Sequence, residues 1–324
     1  MSAGMSAYAR ELARRLPRVA PDLTFDVFRD GGNFGYDEQI RLPLYAQRTR
    51  PRFVHHLSVY APLWMRRPFA ITIHDLIHLR YPDQFKRSVG PYYATVVRAV
   101  CARATRVITD DARMVADLER FLGVDPRKVR VIPLGADDVF FEPHAPEDAA
   151  VPYIMYAGNH RRHKDLATLV AAWQALPAGR AVDLVVTGAA DVPELGERRP
   201  NGTIRCVGDV DAARLARLYR GAVAYVHPAW FEGFGLPMLE AAAAGTPVIA
   251  AEESLPAILA PYARTFPARD ARGLGALLQS ALERPPADEE RERQRAAVRS
   301  YTWDRVAAAT AEVYRDALEE SPLG

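Results

Sequence analysis

Lysine is almost absent from this chain. Lys86, Lys128 and Lys164 are the whole set, so nearly all of the 42 basic residues are arginine. An Arg- and Ala-rich background reflects codon bias more than function. A lysine kept within it marks a place where a compact point charge is wanted, with chance placement as the alternative. Cysteine is as scarce: Cys101 and Cys206 lie far apart without paired-ligand spacing, which argues against a disulfide framework or a zinc site. No apolar run is long enough to span a bilayer and no charged-then-apolar signal opens the chain, so a cytosolic residence is expected. Excess charge is missing too. With 42 basic against 40 acidic side chains, a net +2, neither a strongly basic nucleic-acid binder nor an acidic disordered tail fits.

What is present is the composition of a folded protein. The 324 residues are 49% hydrophobic and 25% charged, enough for about two domains with real cores. Tyr8, Leu12 and Leu16 recur at helical spacing after Ser6, a candidate N-cap. Leu23–Phe28 alternates as a strand would, and 29–50 reads as a long loop. Apolar runs at 53–55, 69–73, 106–109 and 129–132 are separated by helical patterns at 88–104 and 112–122, the second stopped by Gly123. This alternation predicts parallel βαβ units. Between Gly135 and Pro152 the periodicity vanishes into an acidic, Pro-rich linker. A second series follows, with strands at 153–156, 184–187, 204–207, 224–226 and 247–250 and helices at 165–173, 212–219 and 237–244. A closing helix covers 303–318. The expected domains are 1–143, 144–302 and a C-terminal helix, 303–324, that packs back on the first. No repeat of solenoid period is visible.

Two stretches carry chemistry. HPAWFEGFGLPMLEAAAAGTPVIA, residues 227–250, reads as strand, Gly-rich turn, helix, stop and strand. The glycines let backbone amides approach a ligand, Pro237 fits a first helical position, and Glu240 is expected in the helix's first turn. A helix N-terminus with free N–H groups, flanked by Glu232 and Glu240, suits a polyhydroxy or anionic ligand. An ordinary turn-to-helix junction uses the same parts, and the helix dipole alone favours a first-turn Glu. In YIMYAGNHRRHKDLATLV, residues 153–170, an apolar strand ends at Gly158-Asn159. A basic loop with Arg161, Arg162, His163 and Lys164 then leads into a helix, the position where α/β sheets bind phosphate. A solvated basic loop is the alternative.

The segment FEGFGLPMLEA, with Glu232 and Glu240 eight residues apart, followed by GTPVIA, resembles the signature of family 4 retaining glycosyltransferases. AGNHRRHKDL is similar to that family's phosphate-binding loop. VITDDARMVADLERFLGVDPRKVRVIPLGAD resembles the end of its first domain, and IHDLIHLRYPDQF its mannosyl- and rhamnosyl-transferase branch. The likeness runs down to YTWDRVAAATAEVYRDAL. It implies a GT-B fold, α/β, with two Rossmann-like domains facing a cleft and the nucleotide-sugar held mainly by the second. Carried over by position, Glu240 accepts hydrogen bonds from the ribose hydroxyls. Glu232 faces the donor sugar, helped by the amides of Gly233, Phe234, Gly235 and Leu236. Lys164, with Arg161 or Arg162 and the turn at Gly158, neutralises the diphosphate. His74 matches the family's first-domain His near the sugar's reactive face; by itself it is a lone His at a strand end, equally suited to a structural role.

The chain departs from that pattern in places. Asn159 stands where the family often has Arg. Members begin with a strand before the Gly-rich loop; here the chain opens at that loop, with Gly4 in the matching place, so the first domain is read as lacking its usual first strand. Ala257 occupies a position that often carries Glu. The function implied is retaining transfer of a hexose or deoxyhexose, mannose-like favoured. The donor is a nucleoside-diphosphate sugar, and the acceptor a glycan, lipid-linked or small molecule. No cofactor and no metal are expected, since no His/Asp/Glu cluster has metal-ligand spacing. Asp110-Asp111 is read as a strand end away from the donor site. No nucleic-acid partner is implied; peripheral contact with the inner face of a membrane is allowed. A non-catalytic nucleotide-sugar-binding homologue is the alternative. A nucleotide-cofactor dehydrogenase lacks its glycine fingerprint with a downstream acid. Loops 29–50 and 56–68, with Phe34, Tyr36, Tyr60, Trp64, Arg66 and Arg67, are the candidate acceptor region; packing is the favoured reading of those side chains.

Overall fold

The computed structural model describes residues 3–28, 37–65, 67–177, 179, 181–188, 198–199 and 202–320. They fall into two compact units, one made of 1–135 with 303–324 and the other of 136–302.

In the first unit, β1 (Val54–His56), β2 (Phe69–Thr72), β3 (Arg106–Thr109) and β4 (Val129–Val131) lie side by side in that order, all parallel. Every residue of β2 and β3 is buried. Strands covered on both faces have no solvent side to require alternation, which is why they read as short continuous apolar runs. The Arg113–Leu122 helix stops at Gly123, whose φ of 66° lets its N–H return to Glu119 O and Val124 N–H to Leu118 O, a left-handed cap that a side chain would strain. The Trp303–Glu320 helix belongs to this unit and runs along Ala3–Val19. Between them Arg15, only 1% exposed, donates to Glu11 at 3.0 Å and Asp304 at 2.7 Å.

Three local expectations fail here. Leu23–Phe28 forms no ladder; Phe25 packs its ring 6.4 Å from Tyr314 instead, so the alternation reflects one-sided packing. The stretch read as loop 29–50 is helical from Asp37 to Thr49, with residues 29–36 (Phe34 and Tyr36 among them) outside the described residues. Trp64 is 76% exposed and does not pack; Arg66 lies outside the described residues.

The second unit holds β5 (Tyr153–Tyr156), β6 (Asp183–Thr187), β7 (Arg198–Arg199), β8 (Gly202–Gly208), β9 (Ala224–His227), β10 (Val248–Ala251) and β11 (Arg264–Phe266). Their spatial order is β11-β10-β9-β5-β6-β8-β7, parallel except for β7. Trp173 on the Leu166–Gln174 helix is fully buried against this sheet and satisfies its indole N–H on Val182 O at 2.8 Å. The unit starts at Ala136, not at residue 144. Asp138–Phe141, read as linker, is a helical turn that buries Phe140 with its ring 5.9 Å from Tyr219. Its four residues are too few to show a period.

The order matters for function. From β5 the chain steps one way, to β6 and β8; from β9 it steps the other way, to β10 and β11. The reversal falls between β5 and β9. In parallel sheets, ligands bind beyond the carboxyl ends of the strands at such a switch point.

Candidate active site

The loops leaving β5 and β9 meet at that point. Beyond β5, Gly158 takes φ 146° and Tyr156 Oη donates to Asn159 O at 2.5 Å. Gly188, after β6, has φ 99°, and a Cβ there would stand 2.3 Å from the Gly158 carbonyl oxygen, so this close approach admits only glycine. The loop then makes a single 3-10 turn, Arg162–Lys164, and Asp165 turns left-handed at φ 52° before the Leu166–Gln174 helix. Trp230 N–H donates to His163 O at 2.9 Å and ties the β9 loop to the β5 loop.

That tie brings Lys164 onto Glu232. The ammonium contacts both carboxylate oxygens, Oε2 at 2.6 Å and Oε1 closer still. The side chains are 12% and 17% exposed. Burial works to raise the Glu232 carboxyl, but the Lys164 ammonium against it more than offsets that and holds it below the usual carboxylate range. His227, the last residue of β9, is buried, and burial pushes its imidazole down to about 4. It is therefore neutral at physiological pH.

Gly235, at φ 84°, caps the Leu236–Ala243 helix. A Cβ there would lie 2.2 Å from Met238 Cε. Starting at Leu236 puts Glu240 on the fifth residue, beyond the first turn where it was expected. The helix dipole therefore does not explain this glutamate. It is enclosed instead: Tyr219 Oη donates to Glu240 Oε2 at 3.3 Å, and burial pushes the carboxyl up to about 8. Phe234 is buried, whereas Arg161 and Arg162 are exposed, with the Arg162 guanidinium 5.9 Å from the Trp230 ring. Arg269 lies 3.7 Å over the same ring. Trp230 and Arg269 escaped the sequence reading, since Trp230 resembles any packed aromatic and Arg269 sits among many arginines.

In the first unit, His74 follows β2. Its Nδ1 pairs with Asp110 Oδ2 at 2.6 Å, and the Tyr8 ring meets it edge-on at 4.7 Å. Burial opposes charge on the imidazole, but Asp110 outweighs it and raises its pKa. Asp110 is thus the hydrogen-bonded partner of His74, not a bare strand end. Two adjacent acids after a strand gave no signal of which histidine they face. Gly4 falls within the Ala3–Val19 helix. Ala257 is exposed in a 3-10 turn.

Comparison with known proteins gives the family and the fold. A model described as Glycosyltransferase Family 4 matches residues 8–140, and one described as Glycosyl transferases group 1 matches 151–284. The chain belongs to the family 4 glycosyltransferases, and its fold is GT-B. It is 30% identical over 265 residues to D-inositol 3-phosphate glycosyltransferase of Xylanimonas cellulosilytica, covering 69% of this chain and 60% of that protein. To the MMP alpha-(1->4)-mannosyltransferase of Mycolicibacterium hassiacum it is 26% identical over 289 residues, covering 82% and 64%. The chain therefore spans less than two thirds of the length of these relatives. Among solved structures, Anabaena HepE in complex with UDP and glucose superposes with a TM-score of 0.74 at 15% identity, over 97% of this chain and 96% of that one. Sucrose-phosphate synthase of Thermosynechococcus elongatus gives 0.71 at 24% identity, over 86% and 77%.

Proposed function

We propose that this protein transfers a hexose or deoxyhexose, mannose-like by preference, from a nucleoside-diphosphate sugar to a hydroxyl of a glycan, lipid-linked or small-molecule acceptor, with retention of configuration. The observation that carries the reading is the meeting of Lys164, Glu232 and the Gly235-capped helix at the switch point between β5 and β9. HepE, of the same fold, was solved with UDP and glucose. A mannosyltransferase stands among the relatives.

In this reading the diphosphate draws the Lys164 ammonium, with Arg162 as second cation. Charge that builds on the leaving group then meets a positive group already in place. Glu240 holds the ribose, and as a neutral acid it can accept from one hydroxyl and donate to the other. Glu232 faces the sugar. No metal is assigned a step, because protein cations supply the neutralisation. Among the described residues no three His, Cys, Asp or Glu side chains are placed to share an ion. His74, oriented by Asp110, is assigned to the sugar's reactive face on the resemblance. We place the protein in the cytoplasm, with acceptor-side contact at the inner membrane face; among the described residues no helix is long and apolar enough to cross a membrane.

A thermal-shift panel of UDP, GDP, ADP and their sugar conjugates tests the reading, because a ligand bound by the native state alone raises Tm with its concentration over Kd. Labelled-sugar transfer from the best donor, with and without EDTA, follows. Binding without turnover supports the non-catalytic alternative, and loss of activity in EDTA restored by magnesium or manganese removes the cation-only account.

A further inference from the structure

The Lys164–Glu232 pair raises a question that the proposed roles leave open. If Lys164 must serve a diphosphate and Glu232 a sugar, each has to leave the other. A glutamate released within a largely buried pocket needs a new donor, since an ionised carboxylate without one is strongly disfavoured there.

The β9 strand end supplies a candidate. His227 is buried, and its Nε2 has no hydrogen-bond partner among the described residues. That nitrogen stands 3.9 Å from Glu232 Oε1. The other ring nitrogen, Nδ1, lies 2.8 Å from Tyr225 Oη, while the same hydroxyl is 3.4 Å from Ala157 O. A hydroxyl has one proton to donate, and the shorter contact is the ordinary O–H donor distance whereas the longer one is weak. Nε2 faces a carboxylate, which only accepts, so the proton is assigned to Nε2 and Tyr225 donates to Nδ1. A neutral imidazole accepting at Nδ1 carries its proton on Nε2, facing the carboxylate. The ring's displacement toward about 4 by burial agrees with one proton and not two.

We infer that His227 is a positioning residue for Glu232: when the donor's diphosphate takes Lys164, the Glu232 carboxylate passes to the Nε2–H of His227 and is held there against the sugar. The inference rests on the proposed donor roles of Lys164 and Glu232. It makes His227 part of the release of Lys164, so it bears on the affinity of the bare nucleoside diphosphate as well as on turnover with sugar-bearing donors.

The test compares wild type with His227→Leu, His227→Gln and Tyr225→Phe, titrating UDP, GDP and ADP by calorimetry and measuring kcat and KM with the matching nucleotide-sugar. His227→Leu is expected to lower kcat about tenfold, the loss of one hydrogen bond to a charged group. Its affinity for the bare diphosphate should fall too, by about threefold or more, because Lys164 must then leave a Glu232 that has no other donor. His227→Gln, whose amide N–H can replace Nε2–H, should recover most of the rate. Tyr225→Phe should fall between them. The ¹⁵N pattern of the wild-type ring should show the proton on Nε2 with and without nucleotide, a readout that does not depend on any variant folding. Equal losses in the Leu and Gln variants, bare-diphosphate affinity unchanged in His227→Leu, or a proton on Nδ1 would each overturn the inference. Wild type that binds none of the nucleotides overturns the donor reading and this inference together. Wild type that turns over while His227→Leu matches it removes His227 alone.

Discussion

In the proposed reading three side chains of the second unit, Lys164, Glu232 and Glu240, divide the donor's chemistry, and the ion pair couples two of them. Lys164→Met leaves the Glu232 carboxylate without its cation. The variant should lose about 10²–10³ in turnover, the scale of a missing transition-state donor. It should also lose about 3 kcal/mol of stability, the scale of a broken buried pair, read by urea melts beside the kinetics. Glu232→Gln acts in the opposite direction on one ligand. It frees Lys164 from competition, so bare nucleoside diphosphate should bind tighter, by about threefold or more on the scale of a charge-assisted contact, while the intact sugar donor gains nothing. Unchanged diphosphate affinity in calorimetry would mean that Lys164 never needs to leave Glu232. Glu240 differs because its carboxyl is raised to about 8 in the folded protein, above its ordinary 4.5, chiefly by burial. Between those values the native state keeps a proton that the unfolded chain releases, so stability falls as pH rises from about 4.5 to 8 and levels off above. Glu240→Gln should therefore raise Tm over wild type, with a gap absent near pH 4 and widest above pH 8. Glu240→Ala, which keeps neither the acceptor nor the donor, should weaken nucleotide binding instead. A Tm gap independent of pH would show that Glu240 ionises normally.

At the scale of elements, the sequence shows where the parts are but not how they face one another. The sheet runs of both units are legible because buried parallel strands demand unbroken apolar stretches. Tyr153–Tyr156 and Arg106–Thr109 fold over the residues expected. The stretch 271–298 gave no reading, although it forms two helices, Ala271–Glu283 and Asp288–Val298. The second is charged almost throughout, and its buried contacts reduce to Gln294 and Val298. The site shows the same division. Lys164, Glu232 and the Gly235 turn are legible from residue type and spacing, but a sequence separation of 68 between Lys164 and Glu232 hides their contact. Asp110 behind His74 and Tyr225 behind His227 are likewise tertiary facts with no local pattern. The turn itself can be tested. Gly235→Ala must hold φ 84° and move Met238; it should cost about 1–2 kcal/mol and shift Glu232, whose Cγ lies 3.4 Å from the new methyl. Donor KM should rise with it. Normal KM at reduced Tm would separate the turn's structural task from its place in the site.

The whole molecule is two units built in different ways from one chain. Unit 136–302 is continuous, whereas the other joins 1–135 to 303–324. That second join is not marginal. Trp303, Val306, Ala307 and Thr310 are buried on the closing helix. Tyr314 Oη lies 2.6 Å from His55 Nδ1, whose Nε2 meets Thr72 Oγ1 at 2.7 Å. Arg106, inside the sheet, is paired with Glu320. Residues 1–135 alone would expose the apolar side of the Ala3–Val19 helix and leave Arg106 buried without its partner, a loss of several kcal/mol by area and charge together. Such a fragment should therefore fail to show a cooperative melt. The segment 136–302 has its own sheet and Trp173-centred core, and Lys164, Glu232, Glu240 and His227 all lie within it. Expressed alone, it should melt cooperatively and keep nucleoside diphosphate binding while transferring no sugar, since His74 and Asp110 are in the other unit. Calorimetry of the two fragments with the diphosphate chosen by the thermal-shift panel decides the matter. A folded 136–302 that binds no nucleotide would move part of the donor site out of the second unit.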